Sequence, residues 1–135
     1  MPISRTTKGN PNKRKGKKKR ILVIENDEIL VQLIKEVLEG EGFAVEIARD
    51  GAEGLERIKR NRYDVIISDC EMPRMKGSKL YLEVKKLSPD LAKRIIFVPG
   101  TITDFIKSTG NRFLRKPFSL QQLVELVKEL IPSDT

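Results

Sequence analysis

Apolar and polar positions follow two alternating spacings from residue 21 onward. Short apolar or alternating segments predict five strands, at residues 21–24, 43–48, 63–68, 94–98 and 112–114. Segments with apolar residues three or four positions apart predict helices at residues 27–39, 50–61, 77–87 and 102–109, and a final helix that Ser119 caps and that extends to Ile131. The fourth of these helices is predicted to be brief.

Strands that alternate with helices in this way predict an α/β fold. The sheet is expected to be parallel and doubly wound, with helices on both faces. Residues 21–24, 65–67 and 95–98 are continuously apolar, which is typical of central strands buried on both sides. Ligands of such sheets bind beyond the carboxyl ends of the strands, so the residues after each strand are the candidates for function.

Charge divides the chain into two parts. Residues 1–20 contain nine Lys or Arg and no acidic residue, whereas the remaining residues hold 18 basic and 19 acidic side chains, a net charge of −1. The basic part contains almost nothing apolar, so residues 1–19 are expected to form a disordered tail or linker. Residues 20–132 are expected to form one domain.

Composition excludes several kinds of protein. The chain has no histidine, which excludes a histidine general base, most zinc sites and a Ser-His-Asp triad. The single cysteine, Cys70, cannot form an internal disulfide and fits a reducing, cytoplasmic location. No apolar run approaches the roughly 20 residues of a membrane span, so no membrane insertion is expected.

Acidic side chains and one lysine follow strands that a doubly wound sheet brings together. Glu25 and Asn26 follow the first strand, Asp69 and Glu71 follow the third, and Lys116 follows the fifth. Two carboxylates about 4 Å apart repel each other by roughly 4 kcal/mol at an effective dielectric constant near 20. Mg²⁺ and the ammonium of Lys116 would relieve that repulsion. We therefore predict that Asp69 is a nucleophile in a cation pocket, although Asp69 considered alone is equally well explained as a loop-initiating acid.

Three segments carry a family resemblance: "RILVIENDE", "YDVIISDCEMPRMKG" and "FLRKPFSLQQLVELV". Over residues 20–131 the chain resembles the receiver domain of two-component response regulators. The resemblance implies a flavodoxin-like fold with a five-stranded sheet in the order 2-1-3-4-5. It also implies that the partner is a histidine kinase or a histidine phosphotransfer domain.

The resemblance also assigns roles to the residues at the strand ends. Asp69 would accept a phosphoryl group from a phosphohistidine, and Lys116 would contact that group. The Mg²⁺ ligands would be Glu25, Asn26, Asp69 and the backbone carbonyl of Glu71. Phe113 would be the switch aromatic. A receiver of this kind is not an enzyme in its own right but assists its own phosphotransfer and dephosphorylation.

Three features depart from the family pattern. Asn26 replaces a second acid, so one metal ligand lacks its charge. The Ser or Thr that hydrogen-bonds the phosphoryl group falls on Pro99, which has neither a hydroxyl nor an N–H; Thr101, two residues later, would replace it only if the loop rearranged. Only nine residues separate Gly100 from Gly110, so the fourth helix of the fold is expected to be shortened.

Other functions are compatible with the same sequence. The departures favour a pseudo-receiver, a protein-interaction module with weak or no phosphorylation. The basic tail suggests nonspecific binding of nucleic acid, but no helix-turn-helix or aromatic platform accompanies it, so no specific nucleic-acid partner is expected. A linker from a preceding histidine kinase, as in a hybrid kinase, and a stand-alone regulator fit equally well. The sequence leaves the oligomeric state open.

Overall fold

A computed structural model describes residues 17–132. Most of the predicted disordered tail, residues 1–16, lies outside the described residues, so its disorder stays a prediction. None of the helices within the described range is long and apolar enough to cross a membrane.

Four parallel strands form the sheet, in the order β2-β1-β3-β4. They are β1 (Arg20–Ile24), β2 (Ala44–Ala48), β3 (Val65–Ser68) and β4 (Ile95–Phe97). In the register of the sheet, Ile24 lies opposite both Ala48 and Ser68, so β1, β2 and β3 end level with one another. The predicted parallel, doubly wound sheet and the first four strands of its order are confirmed.

The prediction of a fifth strand at residues 112–114 is wrong. Residues 112–114 make a single parallel bridge, in which Phe97 N donates to Arg112 O at 3.1 Å and Leu114 N donates to Phe97 O at 2.9 Å. The segment continues beside the end of β4, where Lys116 N donates to Pro99 O at 2.8 Å. In this parallel register residue 99 would next donate to Leu114 O, and the ladder is interrupted there because Pro99 has no N–H.

Within residues 17–132 the helices are α1 (Glu28–Gly40), α2 (Gly51–Arg60), α3 (Gly77–Leu87), α4 (Pro89–Ala92), α5 (Asp104–Thr109) and α6 (Leu120–Leu130). The shortened fourth helix predicted from the sequence is α5, which has six residues. The predicted cap of the last helix is present, since the Ser119 hydroxyl accepts from Gln122 N. Helix α4 was not predicted because its four residues are too few to show a helical period.

The sheet buries apolar side chains on both faces. Alternate residues of the central strands pack on opposite sides, with Leu22, Ile24 and Ile66 on one side and Ile21 and Val23 on the other. The side chains of β1, from Ile21 to Ile24, are completely buried. These two layers hold the carboxyl ends of β1 and β3 in fixed positions.

Gly51, the first residue of α2, lies where no side chain fits. A Cβ at this position would be 2.5 Å from the backbone oxygen of Met75. We expect Gly51→Ala to lower the free energy of unfolding by roughly 1–3 kcal/mol, because the loop before α3 must move. Gly40→Ala is the matched control: no atom lies within 4 Å of its Cβ, so it should stabilise by about 0.4–1 kcal/mol. Urea denaturation measures both changes, and equal effects of the two substitutions would contradict this packing.

Candidate functional site

The site lies where β1 and β3 end side by side. Glu25 follows β1, and its N–H donates to Ala48 O at 3.0 Å. Asp69 follows β3, and its N–H donates to Ile24 O at 2.9 Å. These bonds extend the ladder by one residue on each strand. The side chains of Glu25 and Asp69 are 3% and 8% exposed, so two carboxylates are held almost out of water at one point.

Lys116 joins the two carboxylates. Its Nζ lies 2.9 Å from Oε1 of Glu25 and 3.4 Å from Oδ1 of Asp69. Its backbone N–H bonds to Pro99 O, which fixes the lysine beside β4. The peptide bond from Lys116 to Pro117 is cis. The structure therefore places together the three side chains that the sequence assigned to the ends of the first, third and fifth strands.

Backbone amides hold one oxygen of each carboxylate. Oε2 of Glu25 accepts from the N–H groups of Asn26 and Asp27 at 3.1 and 3.0 Å. Oδ1 of Asp69 accepts from Cys70 N at 2.8 Å and from Glu71 N at 3.3 Å. Every hydrogen bond described to the Asp69 carboxylate goes to Oδ1. Oδ2 is therefore the oxygen available for a reaction.

The charge of Lys116 is stabilised by its neighbours. Burial alone lowers the pKa of this ammonium, but the carboxylates of Glu25 and Asp69 outweigh burial and raise the pKa above its ordinary value. Because the pKa of Lys116 is higher in the folded protein than in the unfolded chain, its ion pairs contribute fully to stability below the unfolded pKa. This contribution is lost as pH rises through the folded pKa. Lys116 is therefore charged at neutral pH, in contact with both carboxylates.

Cys70, next to Asp69, is not a nucleophile at neutral pH. Burial, together with the carboxylates of Asp69 and Glu71, raises the pKa of this thiol to about 12. A protonated thiol is a poor nucleophile. The raised pKa therefore disfavours the sulfur as the reactive group of this site.

The oxygen ligands at this site, two charged and two neutral, suit Mg²⁺. Oε1 of Glu25 is buried and makes no hydrogen bond of good geometry, although it faces the ammonium of Lys116. Asn26 and Glu71 are exposed beside the carboxylates. Within residues 17–132, no group of three or more His, Cys, Asp or Glu is placed to hold a metal ion. Two carboxylates, an amide oxygen and a backbone carbonyl are nevertheless a set that Mg²⁺ accepts, since it keeps several waters.

The residues with predicted switch roles, Pro99, Thr101 and Phe113, do not gather around the carboxylates as Lys116 does. Pro99 is buried at the end of β4 and reaches the site through its carbonyl, which bonds to Lys116 N. Thr101 is exposed, and no described contact joins it to the carboxylates. Phe113 is half-buried and packs against the core layer that contains Phe97 and Ile106. No hydroxyl of this group lies at the position that the family pattern expects.

An ion pair that the sequence did not predict holds the loop after Asp69. The Arg74 guanidinium donates twice to the buried Asp50 carboxylate, at 2.8 and 3.0 Å. Arg74 has φ +66°, a left-handed conformation that is uncommon for residues other than glycine. Hydrogen bonds from Arg74 hold the pKa of Asp50 below its ordinary value despite burial. Because the pKa of Asp50 is lower in the folded protein than in the unfolded chain, its ion pair with Arg74 contributes fully to stability above the unfolded pKa. This contribution is lost as pH falls through the folded pKa.

An apolar groove of about 460 Å³ adjoins Lys116. Residues of α1 form one wall, and Pro117 and Phe118 form the other. Ile29 and Leu33, both on this wall of α1, are 74% and 44% exposed. An apolar surface therefore reaches the edge of the carboxylate site.

Known proteins match most of this chain. The model of the response regulator receiver domain family matches residues 21–128. The probable transcriptional regulator ycf29 of Porphyra purpurea is 34% identical over 120 residues, which cover 85% of this chain and 57% of that protein. The chain spans 26% of the transcriptional regulatory protein GlrR of Escherichia coli K12 and about half of several other curated relatives.

Solved structures agree with the fold. A CheY-like receiver domain protein of Methanospirillum hungatei JF-1 is 32% identical, with a TM-score of 0.77 over 83% of this chain and 92% of that one. The response regulator TrrA of Thermotoga maritima, solved in complex with Mg(2+)-BeF, is 31% identical. Its TM-score is 0.76 over 84% of this chain and 99% of that chain.

Proposed function

The chain belongs to the response regulator receiver domain family of two-component signalling, and from that premise we propose that Asp69 accepts a phosphoryl group from a phosphohistidine. The observation that carries this proposal is the contact of Lys116 with the buried carboxylates of Glu25 and Asp69. The donor would be a histidine kinase or a histidine phosphotransfer domain, since this chain has no histidine of its own.

In the proposed transfer, Oδ2 of Asp69 attacks the phosphorus of the phosphohistidine. A new O–P bond forms as the P–N bond breaks, and its electron pair stays on the leaving imidazole nitrogen. The ammonium of Lys116 offsets negative charge that develops on the phosphoryl oxygens. The N–H groups of Cys70 and Glu71 keep the carboxylate oriented through Oδ1. These groups are in place before the donor arrives, so little reorganisation is needed.

Mg²⁺ would be held by Glu25, Asn26, Asp69 and the carbonyl of Glu71, and would neutralise part of the phosphoryl charge. The buried Oε1 of Glu25 without a well-directed hydrogen bond supports this assignment. The Mg(2+)-BeF complex of the related TrrA supports it independently. We place the protein in the cytoplasm and regard it as a phosphoacceptor that assists its own chemistry, not as an enzyme acting on other molecules.

We assign the apolar groove beside Lys116 to the phosphodonor. Its exposed Ile29 and Leu33 lie next to the lysine that would contact the phosphoryl group. Covering these side chains with a partner removes apolar surface from water at roughly 25 cal/mol per Å². A donor docked there would bring its phosphohistidine to the open side of Asp69.

Intact mass spectrometry with acetyl phosphate tests the proposal. With Mg²⁺ present, the full chain should gain the mass of one phosphoryl group, and peptide mapping should place it on the peptide that contains Asp69. Chelating the Mg²⁺ should suppress the gain. No incorporation, with the fold intact, would favour the pseudo-receiver, the alternative that Pro99 and the exposed position of Thr101 support.

The charge at position 26 is expected to limit metal affinity. Asn26→Asp adds a carboxylate beside Glu25 and should tighten Mg²⁺ binding by roughly tenfold, which is about 1.4 kcal/mol. The matched control is Asn61→Asp, an equal charge change at the C-terminal end of α2, which should leave the affinity unchanged. Calorimetric titration with Mg²⁺ measures both. If the two variants bind alike, Asn26 lies outside the metal shell.

Pro99 is expected to mute the response to phosphorylation. One charge-assisted hydrogen bond contributes roughly 1.5–3 kcal/mol, and proline cannot make it to the phosphoryl group. We expect Phe113 to keep one rotamer with and without beryllofluoride. Pro99→Thr should enlarge the beryllofluoride-induced NMR shifts over residues 98–114, and it keeps the carbonyl that bonds Lys116 N. Large shifts in the natural protein that Pro99→Thr does not increase would show that another group already serves this role.

A further inference from the structure

The amino-terminal end of the sheet, opposite the carboxylate site, is lined by cations. A cavity of about 320 Å³ has Lys17, Lys18, Arg20 and Arg62 in its wall. A second cavity, of about 340 Å³, shares Arg62 with it. We call the six basic residues of these two cavities the basic rim: Lys17, Lys18, Arg20, Lys59, Arg62 and Arg94.

Few carboxylates oppose this charge. Among the described residues that line the two cavities, Asp64 is the only acidic one; it is 9% exposed, and it accepts from Arg20 N at 2.8 Å. Arg94 donates to the backbone oxygens of Asp64 and Asp90, which satisfy its N–H groups without neutralising its charge. In the part of the chain that the structure describes, Lys59 and Arg62 take part in no ion pair. Arg20 alone is paired, with Glu46.

The basic rim continues into the basic end of the sequence. Residues 1–20 contain nine Lys or Arg and no acid, whereas the remaining chain has a net charge of −1. Lys17, Lys18 and Arg20 belong to both the rim and this basic segment. The described part of this charge, the basic rim, lies at the end of the sheet opposite Asp69.

We propose that the basic rim binds the phosphate backbone of double-stranded nucleic acid without sequence preference. Phosphates spaced along a duplex match several cations that line two concave cavities sharing Arg62. Residues 1–19 offer little apolar surface beyond Met1 and Ile3, which disfavours a membrane surface. Of the described residues that line these cavities, only Tyr63 is aromatic; it is 5% exposed, with its ring under the Arg20 guanidinium. The described lining therefore offers no exposed ring for base stacking.

Charge reversal with a matched control tests the proposal. Fluorescence anisotropy with a labelled mixed-sequence DNA duplex measures affinity of the full chain at two salt concentrations. Lys59→Glu with Arg62→Glu should weaken binding more than tenfold and reduce the slope against log salt by roughly 1 to 2, as loss of one or two phosphate contacts requires. The control, Lys79→Glu with Lys107→Glu, changes the net charge equally at exposed positions outside the rim and should weaken binding less than threefold.

Several outcomes would overturn the proposal. Equal losses in the two double variants would mean that net charge alone drives binding, and no loss in either would remove the rim from the interaction. Neutralising Lys13, Arg14 and Lys15 with glutamine should also weaken binding. If it abolishes binding while the rim variant binds normally, the tail acts alone. Tighter binding to phosphatidylserine-rich vesicles than to DNA would assign the surface to membranes. Acetyl phosphate labelling of the rim variant should stay normal, which separates this test from the proposed phosphorylation.

Discussion

Replacing Lys116 with methionine is expected to slow phosphoryl incorporation by roughly 10²–10³-fold and to destabilise the protein by about 3 kcal/mol. The rate falls because one preorganised cation no longer offsets charge on the phosphoryl oxygens. Stability falls because two nearly buried carboxylates, Glu25 and Asp69, lose the ammonium that lies 2.9 and 3.4 Å from them. Acetyl phosphate labelling kinetics and urea denaturation measure the two effects.

A surface ion pair provides the control for this substitution. Lys128 lies 2.7 Å from Glu41, but both side chains are well exposed, so Lys128→Met should cost less than about 1 kcal/mol. Adding Glu25→Gln to Lys116→Met should recover part of the lost stability, since it removes one of the two uncompensated carboxylates. The stability difference from the natural protein should also narrow as pH rises above the ordinary lysine pKa of 10.5. Equal destabilisation by Lys116→Met and Lys128→Met would show that the site is more hydrated than the contacts indicate.

Asp69→Asn is expected to abolish phosphoryl incorporation while changing stability little. An amide oxygen can still accept from Cys70 N and Glu71 N, which now bond to Oδ1. The substitution also removes one of two neighbouring negative charges, which offsets the loss of the ion pair with Lys116. Because the fold is kept, loss of labelling reports on the nucleophile itself. Mass spectrometry after acetyl phosphate treatment measures it.

Asp27→Asn is the matched control, since Asp27 lies in the loop after β1 beside the same site. Its carboxylate caps α1 by accepting from Ile29 N and Leu30 N, and asparagine caps helices about as well as aspartate. Labelling of Asp27→Asn should therefore equal that of the natural protein. Equal labelling of Asp69→Asn and Asp27→Asn would place the acceptor at another residue.

The elements that the sequence predicted correctly are those whose pattern is local. The continuous apolar runs of β1 and β3 predicted central strands, and both lie inside the sheet. The prediction of a central strand at residues 95–98 is wrong: β4 is buried, but it is the last strand of the sheet, with a single bridge to Phe113 beyond it. The fifth strand failed because pairing is a tertiary property: residues 112–114 have strand-like composition, but only one bridge forms beside Phe97. Helix α4 was missed because its four residues, beginning at Pro89, carry no period.

The site was predictable to the extent that it follows from parallel strands. Residues after neighbouring strands must lie at the same edge, and Glu25, Asp69 and Lys116 do. The ion pair between Arg74 and Asp50 was not predictable, because it joins residues 24 positions apart through a left-handed backbone conformation. No local pattern marks such a pair.

This ion pair has a consequence for the conformational entropy of the loop after Asp69. Fixing the backbone of one residue costs roughly 1–2 kcal/mol at room temperature. Arg74 ties the middle of the loop to the first turn of α2, where Asp50 also caps the helix by accepting from Glu53 N. The loop after Asp69 therefore loses this conformational entropy when the chain folds, not when a reaction occurs. The amides of Cys70 and Glu71 are then already in position, and the entropy of activation for a reaction at Asp69 includes little further ordering of this segment.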